Sequence, residues 1–439
     1  MTPRARQSCL YGLGVVLLIL EVAGLGLQTH GDQNGLVVVM LLQGGAYLAA
    51  WVCSDGVRRR GTLPFILVLA FLLRLGPLLL PPFLSTDIYR YIWDGRVQGA
   101  GINPYQYVPS DDALAWLRDD AIYPNINRAD YARTIYPPAA EMLFFAVTRL
   151  SQSVTAMKLA MLAFDAGTMF LVICMLRSGA GPPERVLIYA WHPLTYWEIA
   201  GSGHVDAALC FLLALAMLLR RRDRAMESGI VLGLATLIKF FPALLVPGVY
   251  RRWDWRMPVG LVATIILLYL PYLSAGWYVF GFLPGYAVEE RFVGGSGIYW
   301  LSLVPYLTGF AAIPVAPYAV LALILFAGVS LAVTLRRQST EYDFVGGMLA
   351  LTLLVYILVT PHHSWYFLWA LPMLCLVPYW PGILLTTASL FLYATFGLPR
   401  GTHDLLSNSL LYGPFLLAAV VQRCSRRSRI DSAKRAGSD

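Results

Sequence analysis

The sequence predicts an all-α protein that crosses a membrane many times, and three observations carry that expectation. Of 439 residues, 58% are hydrophobic and only 13% are charged, about half of the roughly 25% charge of a soluble domain. Apolar stretches of about 20 residues, the length that spans a bilayer as a helix, recur from end to end. The basic residues gather in short clusters between these stretches, as inner loops of membrane proteins do. This composition excludes a secreted disulfide scaffold and a disordered chain. It also excludes a nucleic-acid-binding domain, because the net charge of +8 is spread over loop clusters.

Taken in order, apolar segments run at 10–27, 36–53, 63–80, 138–150, 157–176, 204–219, 258–273, 314–335, 344–360, 366–380, 382–398 and 407–421. They predict about 12 transmembrane helices with both termini on the inner side. Inner clusters are expected at Arg4/Arg6, Arg58-Arg59-Arg60, Arg149/Lys158, Arg220-Arg221-Arg222, Arg251-Arg252, Arg336-Arg337 and the tail from Arg423 to Arg435. No cleavable signal peptide is expected, since the first segment lacks a small-residue cleavage site. Two more apolar stretches break the parity. Residues 229–249 lie between two inner clusters with Lys239 and Pro242 midway, and predict a re-entrant hairpin buried in protein. Residues 186–201, interrupted by His192-Pro193, are expected to dip in from the outer face. The chain thus reads as one integral-membrane domain over 1–439. Three spans (10–80) lead into a long outer loop (81–136), a remaining bundle (137–421) and a basic tail (422–439). A second outer segment, 274–313, carries Glu289, Glu290, Arg291 and the run GGSGIYW.

Four constellations could carry chemistry. In DIYRYIWDGR (87–96), Asp87 follows a span at the hydrocarbon boundary, and a spacing of seven puts Asp87 and Asp94 on one helical face. Partial desolvation raises a carboxylate's pKa and a neighbouring arginine lowers it, so Asp87 suits a general base. The bland alternative is an interfacial helix with its aromatics in the membrane belt. His362-His363 occupy a tight outer turn, beside Trp365 and Tyr366. Glu198, His204 and Asp206 form a polar island where unpaired charge is costly. It either binds sugar or braces the broken segment. Lys239, amid an apolar hairpin, wants an anion, for which a lipid phosphate serves; the alternative is a lysine that snorkels to the interface. The spacing of His192, Glu198, His204 and Asp206 matches no metal motif, and the six cysteines form no pairing pattern. Neither a metal nor a cofactor is expected. The chain contains no GxxxxGK[ST], CxxC, GxSxG or HExxH motif, so any energy-rich donor must arrive already activated.

The motifs TDIYRYIWDGRVQGAGINPY, IYPPAAE (135–141), WHPLTYWEIAGSGHVDA (191–207), GLATLIKFFPALLVP (233–247), GGSGIYW (294–300) and TPHHSWYFLWALP (360–372) come in that order between the spans. This arrangement resembles the bacterial polyprenol-phosphate-mannose-dependent mannosyltransferases of the GT-C superfamily, which include the phosphatidylinositol-mannoside and lipomannan enzymes. The likeness runs from Leu84 to the last span. It implies a GT-C fold and an inverting transfer of a hexose, mannose foremost, from a polyprenyl-phosphate donor to a glycolipid or glycan acceptor. The site would face out from a bacterial cytoplasmic membrane. Asp87 would be the general base, with His362 or His363 completing the site. Arg90, Arg96 and Lys239 would steady the leaving phosphate. Tyr89, Tyr91, Trp93 and Tyr105 would offer faces and hydroxyls to the sugars, and Asp94 would position a hydroxyl or pair with an arginine. The sequence departs from the family in its extra N-terminal hairpin (10–53), and in Ser202 and His192, where relatives often have Asn. A secondary transporter or lipid flippase is the alternative, because broken helices around polar centres serve transport. A non-catalytic subunit of an envelope-polymer assembly is a third reading.

Overall fold

The computed structural model describes residues 1–57, 60–309, 313–336, 340 and 342–436, with side chains up to Ser425. Of the expected inner clusters, Arg58, Arg59, Arg337 and the tail side chains past Ser425 lie outside the described residues, as do residues 437–439. Among the described residues the elements are helices joined by turns, and none is a strand.

The chain opens with an antiparallel hairpin of α1 (Pro3–Thr29) and α2 (Gln33–Ser54). Thr2 caps the first helix, and Asp32 caps the second through Gly35 N at 2.9 Å. α3 (Thr62–Leu79) follows and stops before Pro81-Pro82, because proline cannot continue the ladder. The loop to residue 136 then carries α4 (Asp87–Gly99). Seven helices among the described residues are long and apolar enough to cross a membrane, or eight if one bent pair counts as a single span. Shorter apolar helices at Ala225–Thr236, Asp343–Val359, Ser364–Leu376 and Trp380–Tyr393 supply further expected segments. The architecture is therefore the polytopic all-α one expected. Val315–Leu335 has no buried residue, as suits a helix that is apolar all round and faces lipid.

Three local expectations change. α5 (Pro138–Leu150) does not cross the bundle. Ala140 N donates to Leu237 O (3.1 Å) at the tip of the hairpin described below. Three residues after α5, α6 (Val154–Met175) begins, and Lys158 in its second turn donates to Pro77 O and Leu80 O (3.0 and 2.6 Å) where α3 enters the long loop. Both ends of α5 therefore sit at the loop end of the bundle. Lys158 is buried there instead of joining an inner cluster with Arg149. The reason is electrostatic: a buried ammonium needs acceptors, and the end of α3 leaves carbonyls free. Third, residues 187–201 run from end to end instead of dipping in. Trp191 Nε1 donates to Ile66 O (2.9 Å) near the start of α3, and the chain breaks at His192-Pro193. It continues as a wide turn over Thr195–Gly201 and bends by 117° into α7 (Asp206–Arg221).

The re-entrant hairpin forms as expected. α8 (Ala225–Thr236) climbs beside α7, with Ser228 Oγ on Ala216 O (3.0 Å). After the tip at 237–240 the chain descends through Phe241–Leu245 and Val246–Val249, until Val249 O accepts Arg220 Nε at 2.6 Å. The 16 residues of α7 rise about 24 Å. Lys239 at the tip thus meets Asp206 at the far end of α7 from Arg220 (2.7 Å).

One buried ion pair locks α3 to α6. Arg74 donates to Asp165 at 2.6 Å and to Ala70 O and Ala190 O (2.8 and 2.9 Å). Removing one partner of such a pair costs about 3–5 kcal/mol. Asp165→Asn should therefore lower the melting temperature of the protein in detergent clearly, and Asp165→Asn with Arg74→Met should recover part of the loss. An unchanged melting curve for the single variant would mean that water reaches the pair.

Candidate active site

A cavity of about 960 Å³ opens at the loop end, between the 81–136 loop, the hairpin tip, the segment 282–292 and the turn 361–366. Asp87, Arg90, Lys239, His362 and His363 all line it, although they are dispersed over 277 positions of the chain. Its far wall is apolar, built from Phe240, Phe241, Leu244, Val355 and Val359.

Asp87 starts α4, where the helix dipole favours an anion. Asn127 Nδ2 donates to its Oδ1 at 2.8 Å. Burial would push the Asp87 carboxyl up, but the nearby His204 ring, the Asn127 amide, the Lys239 ammonium and the His363 ring outweigh it and hold it below the usual carboxylate range. The polar turn 202–205 that backs this site depends on Gly203 at φ +71°, since a Cβ there would lie 2.4 Å from Ile88 Cδ1. Arg90 is anchored by Asp94 (2.8 Å) and Ala132 O (3.0 Å), and Asp94 faces away from the cavity. The expected shared face of Asp87 and Asp94 does not serve one site, because the i,i+4 pair with Arg90 takes Asp94 into the protein.

The other expected contacts divide by place. Arg96 braces the loop through Asp119 (2.6 Å), Gln152 and Leu117 O and does not reach the cavity. Trp93 packs on Tyr123, and the Tyr105 hydroxyl donates to Tyr136 O at 2.6 Å. Tyr89 is half-buried and lies outside the cavity wall. Glu198, His204 and Asp206 are fully buried just behind the wall. His204 stands 3.4 Å from Glu198 and 3.8 Å from Asp206, and stacks on Trp365 at 4.3 Å. Tyr393 donates to Glu198. This is a packed network beneath the cavity floor. Among the described residues no three of His, Cys, Asp and Glu are grouped so as to hold a metal ion.

The segment after α7 and α8 supplies residues that the sequence alone left without roles. Arg128 and the Tyr131 hydroxyl both donate to Glu289 (2.6 and 2.8 Å). Glu290 receives His362 Nδ1 at 2.6 Å and His363 Nε2 at 3.3 Å. Arg291 pairs with Asp404. Three consecutive side chains thus tie one strap to the long loop, the turn 361–366 and the helix Arg400–Ala436. The run EER was visible in the sequence, but its partners lie more than 70 positions away from it. The turn 361–366 is set by Thr360, whose φ of +49° is unusual for a β-branched residue. Tyr299 N donates to its Oγ1 at 3.0 Å and holds it there.

His362 also directs Nε2 at Gly297 O (2.5 Å), so both ring nitrogens face acceptors and the imidazolium fits best. Burial opposes that charge, but Glu290 and the Gly297 carbonyl raise the His362 pKa above 6.5. Glu290 is likewise held well below the usual carboxylate range, the two histidines outweighing its burial. The raised histidine stabilises the fold fully below about pH 6.5, and this is lost as pH rises through its folded value. The depressed glutamate stabilises above about pH 4.5, and this is lost as pH falls through its own folded value. The gap in melting temperature between wild type and His362→Gln should therefore be largest near about pH 5.5 and shrink towards about pH 8.5. A gap that is flat over this range would show that His362 carries no charge here.

A family model described as alpha-(1→6)-mannopyranosyltransferase, N-terminal domain, matches residues 12–254, over half of the chain. GPI mannosyltransferase 1 of Kluyveromyces lactis is 25% identical over 168 residues, covering 35% of this chain and 42% of that protein. Alpha-(1→6)-mannopyranosyltransferase A of Mycobacterium tuberculosis is 25% identical over 245 residues, covering 51% of this chain and 44% of that protein. The chain thus spans under half the length of these curated relatives. No solved structure matches it. With the match running from α1 through the re-entrant hairpin, and so across both Asp87 and Lys239, the chain belongs to the alpha-(1→6)-mannopyranosyltransferase family.

Proposed function

We propose that this protein transfers a mannosyl residue from a polyprenyl-phosphate donor to a hydroxyl of a glycolipid or glycan acceptor, with inversion. The observation that carries the reading is one cavity that brings the side chains of Asp87 and Lys239 together beside an apolar wall. The carboxylate suits the acceptor hydroxyl, the ammonium suits a phosphate, and the wall formed by Phe240, Phe241 and Leu244 suits the first prenyl units. The family assignment supports mannose.

In this reading the acceptor oxygen attacks the anomeric carbon, and its proton passes to Asp87. The bond from that carbon to the phosphate oxygen breaks, and its electron pair leaves with the polyprenyl phosphate. Lys239 meets the charge growing on that oxygen, with Arg128 and His363 further along the same cavity. A carboxylate held below the usual range is a weak base. Asp87 therefore orients the hydroxyl early and takes the proton late, after the leaving bond has stretched. Asn127 fixes its direction. The site would face outward from a bacterial cytoplasmic membrane with both termini inside.

Asp87→Asn keeps the shape and removes the base, so transfer of radiolabelled mannose from a short-chain polyprenyl-phosphate mannose should fall by about 10²–10⁴-fold. Full activity in this variant would sink the assignment. The wild-type rate should hold as pH falls from about 7 to about 5, since the lowered Asp87 stays ionised there. An acid limb centred near about pH 6 would point to a different base.

A further inference from the structure

Asp206 has no exposed surface, yet both its oxygens are engaged by residues of the cavity wall. Oδ2 holds Lys239 Nζ at 2.7 Å, and Oδ1 accepts Trp369 Nε1 at 2.6 Å. Trp369 is fixed in turn by a stack on Phe241 with centroids 4.3 Å apart. Lys239 Nζ stands 5.0 Å from the Tyr366 ring centroid and 5.9 Å from that of Trp369. The ammonium therefore has one carboxylate and two aromatic rings around it and the cavity beside it. An ammonium has three donors, and Asp206 takes one, which leaves the others for a ligand.

This arrangement does two jobs that an unaided lysine could not do on an apolar wall. A counter-ion offsets the cost of placing a charge where water is scarce. The indole N–H stops the carboxylate from rotating, so the ammonium has one direction in which to point. We infer that Asp206 and Trp369 are positioning residues, which hold the Lys239 ammonium aimed into the cavity to receive the phosphate of a lipid phosphate. Asp206 stands behind the cavity wall, and Trp369, which lines that wall, acts on the ammonium through Asp206. Asp206, expected from the sequence among the substrate contacts, acts through Lys239. The inference rests on the donor reading above and assigns its phosphate end.

The test compares binding of farnesyl phosphate and farnesol to the full chain purified in detergent, read by tryptophan fluorescence. The two probes share a tail and differ only in the phosphate, so their affinity ratio is insensitive to general damage to the fold. Wild type should favour farnesyl phosphate by at least about tenfold, the worth of one charged hydrogen bond. Lys239→Gln should abolish the preference. Asp206→Asn and the milder Trp369→Phe should each cut this ratio several-fold, with farnesol binding unchanged in Asp206→Asn. An equal or larger preference in Asp206→Asn and Trp369→Phe would overturn the inference, by showing that Asp206 competes with the phosphate. A wild type without preference would overturn the phosphate reading itself, a distinct result. Displacement of farnesyl phosphate by equimolar inorganic phosphate would overturn the choice of a lipid as the carrier.

Discussion

The pairing of Lys239 with Asp206 is the constraint on which the rest of the site depends. A charge on an apolar wall is costly unless paired and hydrogen-bonded. The hairpin tip keeps its ammonium by reaching the head of α7, where Asp206 pairs with it. That requirement draws the tip along the length of α7 to the loop end. There it meets the long loop, whose end passes into α5 at Ala140 on Leu237 O. The same logic holds elsewhere. Arg74 takes Asp165, Arg90 takes Asp94, and Lys158 takes two carbonyls at the end of α3. The first and last of these weld parts of the chain that sequence order keeps apart, and the second takes Asp94 into the protein within one helix.

Much of this was legible in the sequence, and for a physical reason. Long apolar runs have few alternatives to a helix in lipid, so the helical bundle and the long loop follow from composition. The re-entrant hairpin follows from two basic clusters that flank one broken apolar stretch. Asp87, Lys239 and the His362-His363 pair could be singled out because ionisable groups are conspicuous beside apolar runs. What was hidden was direction. Arg149/Lys158 looked like an inner cluster by charge alone, but Lys158 is satisfied by backbone carbonyls at the opposite end, and carbonyls leave no mark in a sequence. The segment 138–150 was apolar enough to suggest a span, yet α5 has only 13 residues and stacks Phe144 on Tyr91 of α4 at 4.5 Å. Its apolar residues cover α4 at the loop end.

The residues that sequence reading placed in the site, but which stand apart from it, share one feature. Trp93, Asp94, Arg96 and Tyr105 lie on or after α4, close to Asp87 in sequence. A helix turns about 100° per residue, so nearness along it does not mean a shared face. Asp94 is seven residues on, yet its partner four residues back, Arg90, claims it first. The opposite error concerns Asn127, Arg128 and Glu290, which reach the cavity from loops with no periodicity to read. Only distance in space, bridged by bonds such as that of Asn127 to Asp87, gives them a role.

The strap 282–298 completes the argument, because the cavity has no roof without it. Its path is fixed at the start by Gly281, at φ +55°, where any Cβ would collide with Thr134 O and where Phe282 N donates to that same carbonyl at 3.1 Å. From there Glu289, Glu290 and Arg291 grip three different elements in succession. Two of these grips, at Arg128 and at the histidines, use residues that also line the cavity. The groups that close the site are thus neighbours of the groups that would meet a substrate. The hold on the strap and the lining of the cavity draw on the same side chains.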